Sequence, residues 1–183
     1  MVYLICGKSG VGKSTLLKNI INECNIEPIV TCTTRPPREG EIDGVDYHFI
    51  TKEQFDEYNE SCDFMECSSY KVANGETWYY GSLFKDFTGN KDKFIVVNPS
   101  GVKVIKTKCT SYGIDTKIIL LTANRKIRLK RLNIRGDNKE EVFRRMKADD
   151  EDFKGMWWNS DYTINTSHKT QAQTLKRLKS IIK

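Results

Sequence analysis

Short apolar runs along this chain alternate with segments whose apolar residues recur at helical spacing. The runs at 2–6, 93–97 and 116–122 have the length and the β-branched content of buried strands. Residues 13–25 carry leucine and isoleucine at helical spacing, and residues 99–113 indicate a helix with a proline in its first turn. Strands that alternate with helices predict an α/β fold, in which helices cover both faces of a parallel sheet.

The remaining elements extend this pattern. We expect further strands at 28–32 and 161–166 and a closing amphipathic helix at 170–183. Residues 123–153 are strongly charged and helical, with a break at the Arg-Gly step near residue 135. This charged segment is either a long solvated helix or, because of the break, a mobile flap.

The segment 33–90 differs from the rest, because turn residues, aromatic side chains and charges dominate it. It favours an inserted ligand-binding lobe with short strands. The 183 residues suit a single domain. We therefore expect a core formed by 1–32, 91–130 and 155–183, with the lobe at 33–90 inserted into it.

Composition argues against several classes of protein. Apolar residues make up 38% of the chain, no apolar run approaches the ~20 residues of a membrane span, and a basic leader is lacking. The six cysteines are scattered without a CxxC pair, and there are two histidines. We expect reduced thiols, a cytoplasmic location, no membrane partner and no structural zinc. The net charge of +6 indicates a solvated basic surface or attraction to a polyanionic ligand.

The stretch GKSGVGKS at 7–14 fits the pattern G-x-x-x-x-G-K-[ST] and lies between a predicted strand and a predicted helix. Glycines let a backbone curve closely around an anion, and the start of a helix offers N–H groups and a positive dipole end. We expect Lys13 to reach the outer phosphates of ATP and the Ser14 hydroxyl to ligate Mg²⁺. The ATP-binding residues predicted in this loop are Gly7, Ser9, Gly10, Val11, Gly12, Lys13, Ser14 and Thr15.

A second candidate site lies in TTRPPREGEIDGVDYHF at 33–49, where Arg35 and Arg38 are separated by two prolines. Prolines stiffen the backbone, and guanidiniums bind phosphate oxygens through paired donors. With hydroxyls from Tyr47 and Tyr80, the two arginines would form a clamp for a phosphate dianion. The alternative is a basic loop with ordinary turn prolines.

This segment closely resembles the signature of guanylate kinases, which transfer the γ-phosphoryl group of ATP to GMP or dGMP. The order of the N-terminal phosphate loop, the later YYGS and the RLNIRGDNKEEVFRRM stretch near residue 140 is similar to that family over nearly the whole chain. The resemblance implies a P-loop NTPase core, an inserted subdomain at 33–90 that binds the nucleoside monophosphate, and a helical lid at 131–154.

The resemblance also implies roles for single residues. Glu66 would accept hydrogen bonds from guanine N1–H and the 2-amino group, although spacing alone favours a surface carboxylate at a strand end. Cys32 lies where the family usually has a serine on the acceptor phosphate, and Asn165 would lie at the adenine edge of ATP. The implied acceptor-binding residues are Cys32, Arg35, Arg38, Tyr47, Glu66, Tyr80, Ser82 and Asn98. The implied catalytic residues are Lys13, Arg131, Arg135 and Arg145.

Two departures from the family pattern leave the acceptor base open. Val96 and Asn98 lie where the family usually carries two aspartates, and the loop between Glu66 and Tyr80 is several residues longer. GMP or dGMP is the expected acceptor. The alternatives are another or modified deoxynucleoside monophosphate, such as dUMP, and a non-catalytic guanylate-kinase-like binding module. We expect small-molecule nucleotides rather than nucleic acid as partners, and a monomer or a homodimer.

Overall fold

The computed structural model describes residues 1–72, 74–136 and 138–182, and the side chains of Asn22, Trp157 and Trp158 lie outside the description. The strands are β1 (Val2–Gly7), β2 (Glu27–Pro28), β3 (Cys32–Thr33), β4 (His48–Phe49), β5 (Phe64–Lys71), β6 (Thr77–Leu83), β7 (Lys93–Val96), β8 (Thr116–Thr122) and β9 (Tyr162–Asn165). The helices are α1 (Lys13–Glu23), α2 (Lys52–Glu60), α3 (Pro99–Ser111), α4 (Arg125–Ile134), α5 (Lys139–Asp152) and α6 (Gln171–Lys179), with 3-10 turns at Phe84–Phe87 and Met156–Asn159.

A five-stranded sheet in the order β2-β7-β1-β8-β9 forms the core, and its strand pairs are all parallel. Leu4 in the central strand lies between Ile95 of β7 and Ile118 of β8. The prediction of an α/β fold with a parallel sheet flanked by helices is confirmed.

Alternation of side chains explains why the strands are apolar throughout. Val2, Leu4 and Cys6 point to one face of β1 and pack in a cluster with residues of α3. Tyr3 and Ile5 point to the other face, where they meet α1 and α6. Because successive side chains of a strand point in opposite directions, a strand covered on both faces needs an unbroken apolar run.

A second sheet, in the order β4-β3-β6-β5, forms the inserted lobe together with α2. The strand predicted at 28–32 is wrong as a single element, because Glu27–Pro28 pairs with β7 of the core sheet and Cys32–Thr33 pairs with β4 and β6. The chain thus leaves the core sheet within a few residues and enters the lobe. An apolar run indicates that a strand is buried, but it does not indicate which sheet the strand joins.

The charged segment forms two helices instead of one. Helix α4 ends at Ile134, Gly136 has a φ of 80°, and α5 begins at Lys139. Leu132 of α4 packs against Val142 and Met146 of α5 in a small apolar cluster. The predicted break is confirmed, and a left-handed residue such as Gly136 is the usual means of ending a helix.

The carboxyl ends of the core strands meet at one edge of the sheet. Strand β1 runs directly into the glycine loop, β7 is followed closely by Asn98, and β9 ends at Asn165. The neighbours of β1 are β7 on one side and β8 on the other. Parallel sheets place ligands in a crevice at this kind of edge. Within the described ranges, no helix is both long and apolar enough to span a bilayer.

We predict that Gly81→Ala destabilises the inserted lobe. A Cβ on Gly81 would lie 2.6 Å from the ring of Phe64, which is itself buried in the core of the lobe. Overpacking of this kind costs about 1–3 kcal/mol, so the free energy of unfolding, measured by denaturant titration, should fall by that amount. Ser69→Ala at an exposed position of β5 is the control. Equal stabilities of the two variants would contradict the packing.

Candidate active site

The glycine loop after β1 has the backbone that an anion site needs. Gly10 and Gly12 adopt φ values of 78° and 98°, in the left-handed region. A Cβ on Gly7 would lie 2.5 Å from the carbonyl oxygen of Leu121, and one on Gly10 would lie 2.7 Å from that of Arg128. The loop is therefore too closely packed and too sharply turned for other residues at these positions.

Lys13 begins α1 and folds back over the loop. Its Nζ donates hydrogen bonds to the carbonyl oxygens of Gly7 at 2.5 Å and Lys8 at 3.2 Å. Burial lowers the pKa of Lys13 to about 8, while the charge of Asp149 opposes that change. Carbonyl groups of the loop thus hold the ammonium group next to the loop, in a position to bind an anion. Ser14 and Thr15 are exposed on the first turn of the same helix.

Arg35 is almost entirely buried in the lobe and is held by neighbouring residues. It is 2% exposed, and its guanidinium donates to the Pro36 carbonyl oxygen at 2.7 Å and to the Glu41 carboxylate at 2.9 Å. The same carboxylate accepts a hydrogen bond from the backbone N–H of Arg38 at 2.8 Å. Glu41 thereby holds the guanidinium of Arg35 and the backbone of Arg38. Sequence reasoning missed it, and the signal was an acidic residue within the same Pro-rich segment.

Three tyrosines line this region, each in contact with the next. The guanidinium of Arg35 lies 5.2 Å from the ring centroid of Tyr47, which makes an edge contact with Tyr80 at 6.1 Å. Tyr80 in turn makes an edge contact with Tyr70 at 5.6 Å. Burial raises the pKa of Tyr47, so this hydroxyl remains protonated and able to donate.

Glu66 and Ser82 form a buried pair on neighbouring strands of the lobe. The Ser82 hydroxyl donates to Glu66 Oε1 at 2.9 Å, and burial raises the pKa of the Glu66 carboxyl group. Glu66 is 8% exposed, so the alternative of a surface carboxylate is wrong. Gly101 matters here because a Cβ on it would lie 3.4 Å from Glu66 Oε2 and 3.0 Å from Asn98 Oδ1. Sequence reasoning did not single out that glycine.

Asn98 is engaged by its surroundings in the free protein. Its Oδ1 caps α3 by accepting the Gly101 N–H at 2.7 Å, and its Nδ2 donates to the hydroxyl of Tyr70. Tyr70 belongs to the longer loop, of which residues 67–71 pair with residues 77–81 and extend the hairpin of β5 and β6. This extension brings a phenol from the lobe to the end of β7, a contact that the sequence did not reveal.

Cys32 lies in the apolar core of the lobe. It is 1% exposed and packs with Phe55, Phe64 and Leu83. Burial raises the pKa of its thiol to about 11, so the group is neutral. The structure thus gives this side chain a packing position, in contrast to the phosphate contact expected from the resemblance.

The lid arginines approach from α4 and α5. Arg131 donates to the Gly10 and Val11 carbonyl oxygens at 3.3 and 3.2 Å and to that of Thr166 at 2.9 Å. Burial, followed by the positive charges of Arg145, Arg35 and Arg135, lowers the pKa of Arg38. Guanidiniums of the lid and of the inserted lobe therefore lie within electrostatic range of each other.

Glu141 balances part of this charge on the lid. It accepts hydrogen bonds from Arg144 at 2.8 Å and from Arg145 at 2.7 Å, and these contacts lower its pKa to about 2. At the end of β9, Asn165 is exposed and its Oδ1 accepts the Ser167 N–H at 2.8 Å. The Asn165 side chain thus forms a local turn at the edge of the site.

Comparison with known proteins identifies the family. A family model described as guanylate kinase matches residues 1–183. The guanylate kinase of Lactiplantibacillus plantarum is 32% identical over 100% of this chain and 87% of that relative. This chain belongs to the guanylate kinase family. The guanylate kinase of Fusobacterium nucleatum is 36% identical over 77% of the chain and 74% of its own length.

A solved structure supports the same fold. The crystal structure of guanylate kinase from Anaplasma phagocytophilum has a TM-score of 0.68, at 21% identity, and covers 100% of this chain and 84% of that one. The P-loop core is thus shared with the family although most residues differ.

The side chains available as ligands limit how a metal ion can be bound. Among the described residues of this guanylate kinase family member, no group of three or more His, Cys, Asp or Glu side chains could hold a metal ion. A hydroxyl such as that of Ser14 is the oxygen ligand that phosphate loops present to Mg²⁺. The residues present therefore fit an ion that is shared with phosphate oxygens.

We predict that Glu66→Gln stabilises the free protein at neutral pH. The folded-state pKa of Glu66 is raised, so its ionised form disfavours folding above the folded pKa, and this penalty disappears as the pH falls below about 4. The variant should have a higher free energy of unfolding at pH 7 and lose the advantage in acid. Glu60→Gln, at an exposed site on α2, is the control for denaturant titrations at several pH values. A variant no more stable than wild type at pH 7 would show that the carboxylate is well solvated.

Proposed function

We propose that this protein transfers the γ-phosphoryl group of ATP to GMP or dGMP. The observation that carries the proposal is the buried pair of Glu66 and Ser82, which lies close to the start of α3 at the end of β7, beside the strand that runs into the glycine loop. A carboxylate there can accept from two adjacent N–H donors of a base, and the glycine loop presents backbone N–H groups to phosphates. Transfer between two nucleotides needs a donor site and an acceptor site at the same edge of the core sheet.

On the donor side, ATP lies with its phosphates in the glycine loop and its adenine toward Asn165. The backbone N–H groups at the start of α1 and the ammonium of Lys13 hold the phosphates. Ser14 would hold Mg²⁺ there, and the ion when bound neutralises phosphate charge. The proposed ATP-binding residues are Gly7, Ser9, Gly10, Val11, Gly12, Lys13, Ser14, Thr15 and Asn165.

On the acceptor side, Glu66 and Ser82 recognise the base by hydrogen bonds, and the arginines bind the phosphate. A carboxylate with free lone-pair directions accepts from two adjacent N–H donors, which guanine presents and adenine does not. The phosphate side is completed by Arg35, Arg38, Tyr47 and Tyr80. We leave Cys32 out of this set because it is buried in the lobe, and we give Asn98 the cap of α3 as its first role.

The transfer step needs positioning and charge neutralisation more than acid–base chemistry. The acceptor is already a phosphate oxygen, and negative charge spreads over the transferred group in the transition state. The residues proposed to neutralise that charge are Lys13, Arg131, Arg135 and Arg145. We propose that residues 131–154 act as the lid, which excludes water so that ATP is not hydrolysed, and that 33–90 act as the acceptor lobe.

The free cysteines and the proposed ligands bear on the location and the partners of the protein. All six cysteines are free, and we propose a cytoplasmic location in which they stay reduced. The proposed partners are small-molecule nucleotides and no nucleic acid, since the arginines already have phosphates to bind. A monomer or homodimer remains the expectation, which sedimentation analysis tests directly.

Lys13→Ala should abolish phosphoryl transfer while sparing acceptor binding. The substitution removes the ammonium group at the mouth of the glycine loop, and the acceptor residues lie on other elements. We expect turnover to fall by about 10²-fold or more in a coupled kinase assay, with an unchanged GMP affinity by calorimetry. Lys106→Ala at an exposed site on α3 serves as the control. Retained turnover in Lys13→Ala would remove the loop from the mechanism.

Glu66→Gln should lower kcat/KM for GMP by roughly 10²-fold or more, because the amide offers one acceptor where guanine presents two donors. Rates with GMP, dGMP, AMP, CMP and dUMP give the specificity of the wild-type enzyme and of the variant. Turnover of a pyrimidine nucleotide with GMP and dGMP inert would overturn the base assignment. Binding without turnover of any acceptor would instead identify a binding module.

A further inference from the structure

The outer side of the glycine loop is held by one charged residue of α4 and one of α5. We call these two helices the lid helices because most of the proposed lid at 131–154 lies in them, although α4 begins at Arg125 in the core. Arg128 of α4 donates from Nε to the Ser9 carbonyl oxygen at 2.9 Å. Asp149 of α5 accepts the Ser9 N–H at 2.8 Å and lies 3.3 Å from the Ser9 hydroxyl. Both backbone groups of one loop residue are therefore bound by side chains from the lid helices.

Arg128 and Asp149 also bind each other. Arg128 Nη2 donates to Asp149 Oδ2 at 2.9 Å, and the side chains are 4% and 13% exposed. Burial lowers the pKa of Arg128 and raises that of Asp149, so both charges carry a desolvation cost. A buried pair of this kind tolerates joint replacement far better than the loss of one partner.

The neighbouring acidic residue gives a natural comparison. Asp150 pairs with Lys8 at 2.6 Å and with Arg125 at 2.8 Å, but it is 43% exposed and its pairs are of the weak surface kind. The two adjacent carboxylates thus make different contacts near the same loop. Asp149 is the less exposed of the two and binds the backbone of Ser9, whereas Asp150 is more exposed and pairs with side chains.

We propose that Arg128 and Asp149 are positioning residues that hold the lid helices against the glycine loop, so that the loop keeps its ATP-binding shape only while α5 is docked. This inference rests on the proposed function, since it takes the loop as the ATP site. Neither residue touches a nucleotide in this proposal. They act through Ser9, whose N–H and carbonyl group they fix, and Ser9 fixes the turn that begins at Gly10.

The expected consequence is selective for the donor. We call the contacts of Arg128 and Asp149 with Ser9 the anchor. Loss of the anchor lets the loop adopt other conformations, and the apparent affinity for ATP is then reduced in proportion to the fraction of molecules whose loop keeps the ATP-binding conformation. The acceptor residues lie on β5, β6 and the segment around Arg35, which Arg128 and Asp149 do not contact through any hydrogen bond described above. GMP binding should therefore change little.

Three variants test the anchor. Asp149→Ala leaves Arg128 unpaired and releases Ser9, and we expect KM for ATP to rise roughly tenfold, with the GMP dissociation constant within about twofold of wild type. The double variant Arg128→Met/Asp149→Leu replaces the pair by apolar groups of similar size. It should regain the melting temperature that Asp149→Ala lowers, but its KM for ATP should stay raised. If the pair served only stability, KM for ATP would return to the wild-type value together with the melting temperature. Asp150→Asn is the matched control, with KM for ATP within about twofold.

Amide hydrogen exchange in the unliganded protein tests the anchor without reference to catalysis. Residues 7–15 should exchange faster in Asp149→Ala than in wild type or in Asp150→Asn. If residues 7–15 exchange faster in Asp149→Ala but the wild-type protein has no kinase activity, the proposed function is contradicted while the role of Arg128 and Asp149 in holding the loop is supported. A KM for ATP unchanged in Asp149→Ala, or restored together with stability in the double variant, would overturn the proposal, as would unchanged exchange of the loop.

Discussion

Repulsion among guanidinium groups is the constraint around which this site is built. A protein that neutralises the phosphates of two nucleotides must bring several arginines to one place and keep them there when the nucleotides are absent. In each part of the molecule a carboxylate makes this possible. Glu41 pairs with Arg35 of the lobe, Glu141 pairs with Arg144 and Arg145 of α5, and Asp149 holds Arg128 against the loop.

These carboxylates do more than balance charge. A guanidinium bound to a carboxylate has a fixed plane, so its remaining donors point in a defined direction. Arg35 illustrates this, since its pairing with Glu41 and its contact with the ring of Tyr47 restrain it from two sides. The arginines are thus oriented before any ligand arrives, which lowers the ordering cost of binding.

Glu66 shows the opposite arrangement, because the partner described for its buried carboxylate is a hydroxyl. Ser82 satisfies one oxygen, and desolvation of the carboxylate raises its pKa. A desolvated carboxylate gains most when a ligand with matching N–H donors arrives. The specificity of the pocket and a small loss of stability therefore have the same physical origin.

The sequence by itself determined the α/β class, the glycine loop, the break between the lid helices and the family resemblance, since each depends on residues close together in the chain. Buried parallel strands need continuous apolar runs, and a phosphate loop needs its glycines and lysine at fixed spacing, so both leave local patterns. The strand expected at 28–32 failed because the choice of a partner strand is not local. Only the tertiary structure decided that Cys32 packs in the lobe, that Tyr70 reaches Asn98, and that Ser9 is held from two helices. Ser9 and Asp149 are 140 residues apart in sequence, and acidic residues on a charged helix carry no signal until their partners are known. The energy of a charge is set by what surrounds it, and the surroundings exist only after folding.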